Sequence, residues 1–315
     1  MIKYTMFARN CLLGSLAIGL SPMHVFAEEP SPKPMEEAAA EVVAAIPQID
    51  ALADKRMREM SDLLGKLKSF RFSVEIVNDN VEPDGQKIQI GRRSRVEVKR
   101  PNGLRVESQG DRGWNKMSVF DGKHFLLHDR GEKVYSIIDA PGTLDEFFQY
   151  LFEKYGTSPP LVDFLLDDVH GALTEGADSG ALLGDAFVAE KACDHLVFSN
   201  DDLEWQIWIE KGPNPLPRKF VITYKDVDVR PQYMAVFREW DTNASLDDAR
   251  FATTAPADAT SVPFERFVDR RSEGDGADQE GDDHGGAKHE EADHDGADHG
   301  DADHDDADHG AETEN

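Results

Sequence analysis

Phe70-Arg71-Phe72-Ser73-Val74-Glu75-Ile76 is the stretch whose reading decides the fold. Phe70, Phe72, Val74 and Ile76 take every second position, so they share one face of a strand. Arg71, Ser73 and Glu75 take the other face. Just upstream the period is different. Over residues 50–68, Leu52, Met60, Leu63, Leu64 and Leu67 fall near helical spacing with charges between them, which predicts an amphipathic helix weakened at Gly65. Downstream the period of two recurs. Asp84-Gly85, Asn102-Gly103, Asp121-Gly122 and Arg130-Gly131 are hairpin turn signals, and the apolar runs between them predict short antiparallel strands.

Two further helices are expected to interrupt the strands. One spans 143–155, with Thr143 as N-cap and Glu146 three residues on. The other spans 160–168 after Pro159-Pro160 and contains Leu161, Val162, Phe164 and Leu165. Strands resume near 185–190, 193–199, 203–211, 217–225 and 231–240. Trp205, Ile207 and Ile209 alternate with Gln206, Trp208 and Glu210, so each face receives a Trp. The fold class is α+β: a strongly curved antiparallel sheet forming an incomplete barrel, with helices covering or plugging the concave face. Helix 143–155 is rich in aromatic rings. They either fill the core or line an apolar cavity in the curved sheet. The candidates for such a cavity are Phe72, Val74, Phe147, Phe148, Leu151, Phe152, Trp205 and Ile207.

The N-terminus reads as an export signal. Lys3 and Arg9 precede a short apolar run over residues 12–20, and Val25-Phe26-Ala27 fits a cleavage site after Ala27. The run is too short to span a bilayer. A periplasmic location follows, with residues 1–27 as signal peptide, 28–48 as a Pro-containing tether, 49–268 as the folded domain and 269–315 as a tail. Removing Cys11 leaves Cys193 alone, so no internal disulfide is expected. The net charge is −28; the signal carries +2 and residues 272–315 carry −17, leaving −13 on residues 28–271. A body this acidic excludes nucleic acid as a partner and disfavours anionic lipid surfaces. No stable membrane span is expected after residue 27, and the protein is read as a monomer.

The tail is a repeat. His284, His289, His294, His299, His304 and His309 recur every five residues, and Asp precedes all but His289. Its composition predicts disorder. On a helix, a step of five residues turns about 140° beyond a full turn, so no preformed face of imidazoles results. A flexible chain can still gather several imidazoles and carboxylates around Zn, Ni or Cu. Alternatively the tail is a solvating acidic segment.

Catalytic patterns are missing from the sequence. His289-Glu290-Glu291-Ala292-Asp293-His294 has one residue too many for a zinc-protease motif, and no nucleophile elbow or phosphate-binding loop occurs. Cys193 and His195 share a strand face but read more simply as a buried thiol and a hydrogen-bonded imidazole. No catalytic residues and no required cofactor are expected.

Four segments together resemble the periplasmic outer-membrane lipoprotein carriers of the LolA-like superfamily, and more closely an uncharacterised family of predicted periplasmic proteins. They are Lys66-Leu67-Lys68-Ser69-Phe70, Val98-Lys99-Arg100-Pro101-Asn102, Phe120-Asp121-Gly122-Lys123, and Ala249-Arg250-Phe251 with Pro256 as a closing strand. The resemblance covers about residues 50–260. It implies a half-barrel whose apolar interior receives acyl chains, and a lid held by the arginine of the second segment, here Arg100. The expected ligand is a lipid, an acyl chain or a lipoprotein-like molecule, with an envelope protein as a further partner. The alternatives are a divalent-metal buffer or metal-responsive interaction protein acting through the tail, and a hydrolase with a site the sequence does not display.

Overall fold

The alternation at Phe70 becomes strand β1, Ser69–Val81, in a computed structural model that describes residues 49–272. The Asp84-Gly85 turn, with Gly85 in the left-handed region at φ 85°, returns the chain as β2, Lys87–Lys99. The two strands pair from Ser69↔Lys99 to Val81↔Lys87. The meander continues through β3 (Gly103–Gly110), β4 (Asn115–Phe120), β5 (His124–Asp129) and β6 (Val134–Asp139). On the other side of β1 lies β11 (Gln232–Asp241), followed outward by β10 (Pro217–Tyr224), β9 (Leu203–Glu210), β8 (Lys191–Ser199) and β7 (Ser179–Val188). A two-residue strand, β12 (Thr260–Ser261), joins β6 in parallel and completes a twelve-stranded sheet. The sheet is curved and open, an incomplete barrel.

Helix α1, Ala51–Lys66, starts where the Asp50 carboxylate accepts the Leu52 N–H at 2.7 Å. Its buried face is Ala53, Met57, Met60 and Leu64. Helix α2, Leu144–Tyr155, has the expected capping box between Thr143 and Glu146 and ends at Gly156 in the left-handed region. The helix expected over 160–168 does not form. Leu161 takes φ 63°, only a single 3-10 turn follows at Val162–Phe164, and helix α3 (Val169–Thr174) begins after Asp168 caps it through the Gly171 N–H. A left-handed residue cannot propagate a right-handed helix, and the Asp168 cap re-starts one further on. The closing strand expected at Ala249-Arg250-Phe251 is a 3-10 turn, Asp248–Phe251, which presses Phe251 onto the convex face beside Val119, Leu126, Ala244 and Leu246. The last described helix, α4 (Glu265–Ser272), follows β12.

One continuous core joins the concave face to the helices. It contains Phe70, Phe72, Val74 and Ile76 of β1, Trp205, Ile207 and Ile209 of β9, Phe220 of β10 and Phe237 of β11. Trp208 lies on the opposite face with Cys193 and Val221, as the alternation requires. At β11 an extra residue opposite Phe72 breaks the ladder: Arg71 pairs with Asp241 but Ser73 with Arg238. Glu239 takes φ 52° there, and the bulge turns Trp240 inward to stack on Phe72 at 4.4 Å.

Candidate functional site

The candidate site is the concave face with the helical segment 144–174 that covers it. Phe147 of α2 stacks on Phe120 at 4.2 Å and meets Phe125 at 4.8 Å and Phe148 at 5.2 Å. Phe164 of the 3-10 turn meets Phe220 and Phe237 edge-on at 5.2 and 5.1 Å. Leu161, Val162, Leu165, Leu166, Val169 and Leu173 are buried with them. The segment thus meets the apolar part of the sheet through the buried apolar side chains of α2, the 3-10 turn and α3. Each fully buried residue of this kind contributes about 1.5–3 kcal/mol.

Seven of the sequence candidates, Phe72, Val74, Phe147, Phe148, Leu151, Trp205 and Ile207, are packed into this core. Phe152 departs from the set, being 49% exposed. On α2 the residues 144, 147, 148 and 151 form one inward stripe, and a step of one residue past Leu151 rotates Phe152 about 100° off it. Two clefts lie apart from the helix-covered core. One, of about 270 Å³, is lined by Leu52, Lys55, Arg56, Glu59, Asp194 and Lys211, among others. The other, of about 240 Å³, lies between Arg71, Ser73, Arg95, Glu239 and Asp241, with Phe72 at its border.

Arg100 sits where β2 ends and reaches the covering segment. Its side chain is only 5% exposed. One terminal nitrogen donates to Asp167 Oδ1 at 2.8 Å and the other to the Leu166 carbonyl at 3.1 Å, and the guanidinium lies 5.9 Å from the Phe70 ring centre. Asp145, in the first turn of α2, accepts the Asp167 N–H at 3.3 Å. The Leu144 N–H donates to the Pro101 carbonyl at 2.8 Å. The start of α2, the loop before α3 and the end of β2 therefore meet at one polar cluster. Burial lowers the Arg100 pKa, opposed by Asp167 and Asp145; burial raises that of Asp145, opposed by the Asp167 N–H. A second clamp ties α3 to α1. His170 Nε2 lies 2.7 Å from Asp54 Oδ1, and the His170 N–H donates to Ser61 Oγ at 3.0 Å. Asp54 is held below the usual carboxylate range by hydrogen bonds from Arg58 and then His170.

Three features of the segment escape sequence reasoning. Asp145 falls inside the expected helix 143–155 and Asp167 near the end of the one expected over 160–168, and neither is singled out by the sequence, yet they complete the Arg100 cluster. Asp163 is buried at 7% exposure, and burial pushes its carboxyl up to about 7. The available signal was its place inside Leu161-Val162-Asp163-Phe164-Leu165-Leu166, a carboxyl within an apolar run. The strand thiol and imidazole do not meet: His195 stacks on Trp208 at 4.1 Å and bonds Gln206 at 3.0 Å, while the Cys193 thiol donates to the Lys191 carbonyl. Among the described residues no three metal-binding side chains converge. His284, His289, His294, His299, His304 and His309 lie outside the described residues, as do the signal and tether.

A curved open sheet with a helical cover on its concave face defines the half-barrel class. Residues 53–265 match the family described as predicted periplasmic protein (DUF2092), and the chain belongs to it. The resemblance to an uncharacterised periplasmic family is borne out, and the protein is periplasmic. Among similar solved structures is an uncharacterised conserved protein from Thermus thermophilus, 14% identical, covering 67% of this chain and 98% of that one at TM-score 0.41. The lipoprotein LppX of Mycobacterium tuberculosis is 10% identical, covering 63% of this chain and 100% of that one at TM-score 0.41. A LolA superfamily protein from Nitrosomonas europaea is 12% identical, covering 64% and 97% at TM-score 0.29. No curated relative matches the chain. No helix among the described residues is long and apolar enough to cross a membrane.

Proposed function

We propose that the protein is a non-catalytic periplasmic binding protein for an apolar ligand: a lipid, an acyl chain or a lipoprotein-like molecule. The ligand lies against the concave face in place of part of the helical segment 144–174. The observation that supports this most is the covering segment itself. It meets the sheet through apolar side chains, Phe147, Phe148, Leu151 and Phe164 among them, and is pinned by a polar cluster at Arg100. An acyl chain offers the sheet the same kind of surface. Each buried methylene is worth about 0.8 kcal/mol, so a long chain can compete with the rings it displaces. Native mass spectrometry of the protein purified from the periplasm is expected to show lipid adducts, or uptake of added palmitate. The bare mass alone under both conditions would sink the reading.

The five-residue histidine repeat favours a second property. We propose that the tail binds Zn, Ni or Cu through its imidazoles and carboxylates. Titration calorimetry with Zn is expected to give heat with the full chain that a chain ending at residue 271 lacks. Equal heats would place the binding elsewhere.

A further inference from the structure

The concave face is not uniformly apolar, and its rows change character in order. The strand register places Phe70, Val98, Leu104, Phe120, Phe125 and Ile138 in one row across β1–β6, all apolar. The next row reads Phe72, Val96, Val106, Ser118, Leu127, Ser136. The third reads Val74, Ser94, Ser108, Lys116, Asp129, Val134, and the fourth begins Ile76, Arg92, Gly110. From Phe70 to Ile76 this gradient runs about 20 Å, at about 3.3 Å per residue. That length is comparable to an extended long acyl chain.

The polar end is built, not merely wet. Ser94 and Ser108 are buried, and Ser94 donates to Ser108 Oγ at 2.9 Å. The Trp114 indole N–H donates to the same oxygen at 3.0 Å. Ser108 Oγ thus accepts two hydrogen bonds and keeps its own proton to donate. Two cations flank the indole: Lys116 Nζ lies 3.9 Å and the Arg92 guanidinium 5.4 Å from the ring centre. Lys116 also faces Asp129 at 3.7 Å. Arg92 donates to Asn78 Oδ1 at 3.1 Å but is in no ion pair among the described residues. Gly110 leaves room for it, since a Cβ there would lie 2.5 Å from that of Arg92. In a body of net negative charge, two cations thus stand at the polar end of an otherwise apolar set of rows.

We infer that the ligand is an anionic amphiphile, its carboxylate or phosphate head held by Arg92, Lys116 and the Ser94–Ser108 pair beside Trp114, its chain lying along the apolar rows. This rests on the apolar-ligand reading and adds its polarity and direction. The test measures displacement of a fluorescent fatty acid from the full mature protein by palmitate, by hexadecanol and by inorganic phosphate. Palmitate is expected to compete at least tenfold better than hexadecanol, with phosphate alone ineffective. In Arg92→Gln with Lys116→Gln the palmitate-to-hexadecanol ratio is expected to fall toward one, and Arg92→Lys with native Lys116 should retain most of it. Thermal melts of each variant establish that it is folded. Equal competition by palmitate and hexadecanol in the native protein overturns the amphiphile but leaves an apolar ligand in place. An unchanged ratio in the folded double variant moves the head elsewhere and overturns the assignment. Competition by inorganic phosphate alone marks a free-anion site and overturns it too. If no alkyl ligand binds at all, the apolar-ligand reading itself has failed.

Discussion

Arg100→Ala is expected to free the helical segment 144–174 while the sheet beneath it stays folded. The substitution removes two charge-assisted hydrogen bonds, to Asp167 and to the Leu166 carbonyl, and leaves that carbonyl to find water. Such bonds are worth about 1.5–3 kcal/mol. Asp167 is largely exposed, so no buried charge is stranded, and the lower half of that range applies to its share. Amide exchange in residues 144–174 should therefore quicken by roughly 10- to 100-fold, whereas β1, β9 and β11 keep their protection. Arg100→Lys should fall between, because an ammonium keeps the charge but not the fork that reaches two acceptors at once. A uniform loss of protection across sheet and helices would show instead that the segment is one cooperative unit with the core.

Asp163→Asn should make the protein more stable at neutral pH than the native chain. Burial raises the Asp163 carboxyl from 3.8 to about 7. A group raised in the folded state contributes stability below its unfolded value and loses it as pH rises through the folded one. The native chain should thus lose about 4 kcal/mol from this group between pH 4 and 7, at about 1.4 kcal/mol per unit. Asp54 works in the opposite sense, since its lowered pKa adds stability above 3.8 that acid removes. Subtracting the native urea-unfolding profile from that of Asp163→Asn isolates the single group. The difference should grow from pH 4 to 7 and then level. A flat difference would mean that Asp163 is already solvated or paired. The position of Asp163 in the covering segment gives the loss a place: higher pH should loosen 144–174 before the sheet.

The sheet was legible because its cause is local. Alternation at Phe70–Ile76 and at Trp205–Glu210 fixes both faces, and the turn residues at 84–85 and 102–103 fix where strands reverse. The capping box of α2 was legible for the same reason. The segment 160–174 was not. Its apolar run satisfies a helix, but a left-handed Leu161 and the Asp168 cap divide it, and those follow from how Phe164 must reach Phe220 and Phe237. Seven of the eight concave candidates followed from period alone, whereas Phe152 lies on a helix flank that period places only coarsely. Arg100 came from resemblance, and its partners Asp167 and Asp145 needed the fold, since they lie 67 and 45 residues away in sequence. The polar row of Ser94, Ser108 and Lys116 also needed register: its members alternate correctly on three strands, but nothing local says that they align.

The central claim is that an apolar ligand enters between the helical segment and the concave sheet. Hydrogen–deuterium exchange of the full mature protein with and without saturating palmitate tests it most directly. The account predicts altered exchange in residues 144–174 and in β1, β2, β9 and β11, with residues 242–258 on the convex face unchanged. Binding of palmitate that leaves 144–174 and these strands untouched, or that alters only the convex face, would contradict it.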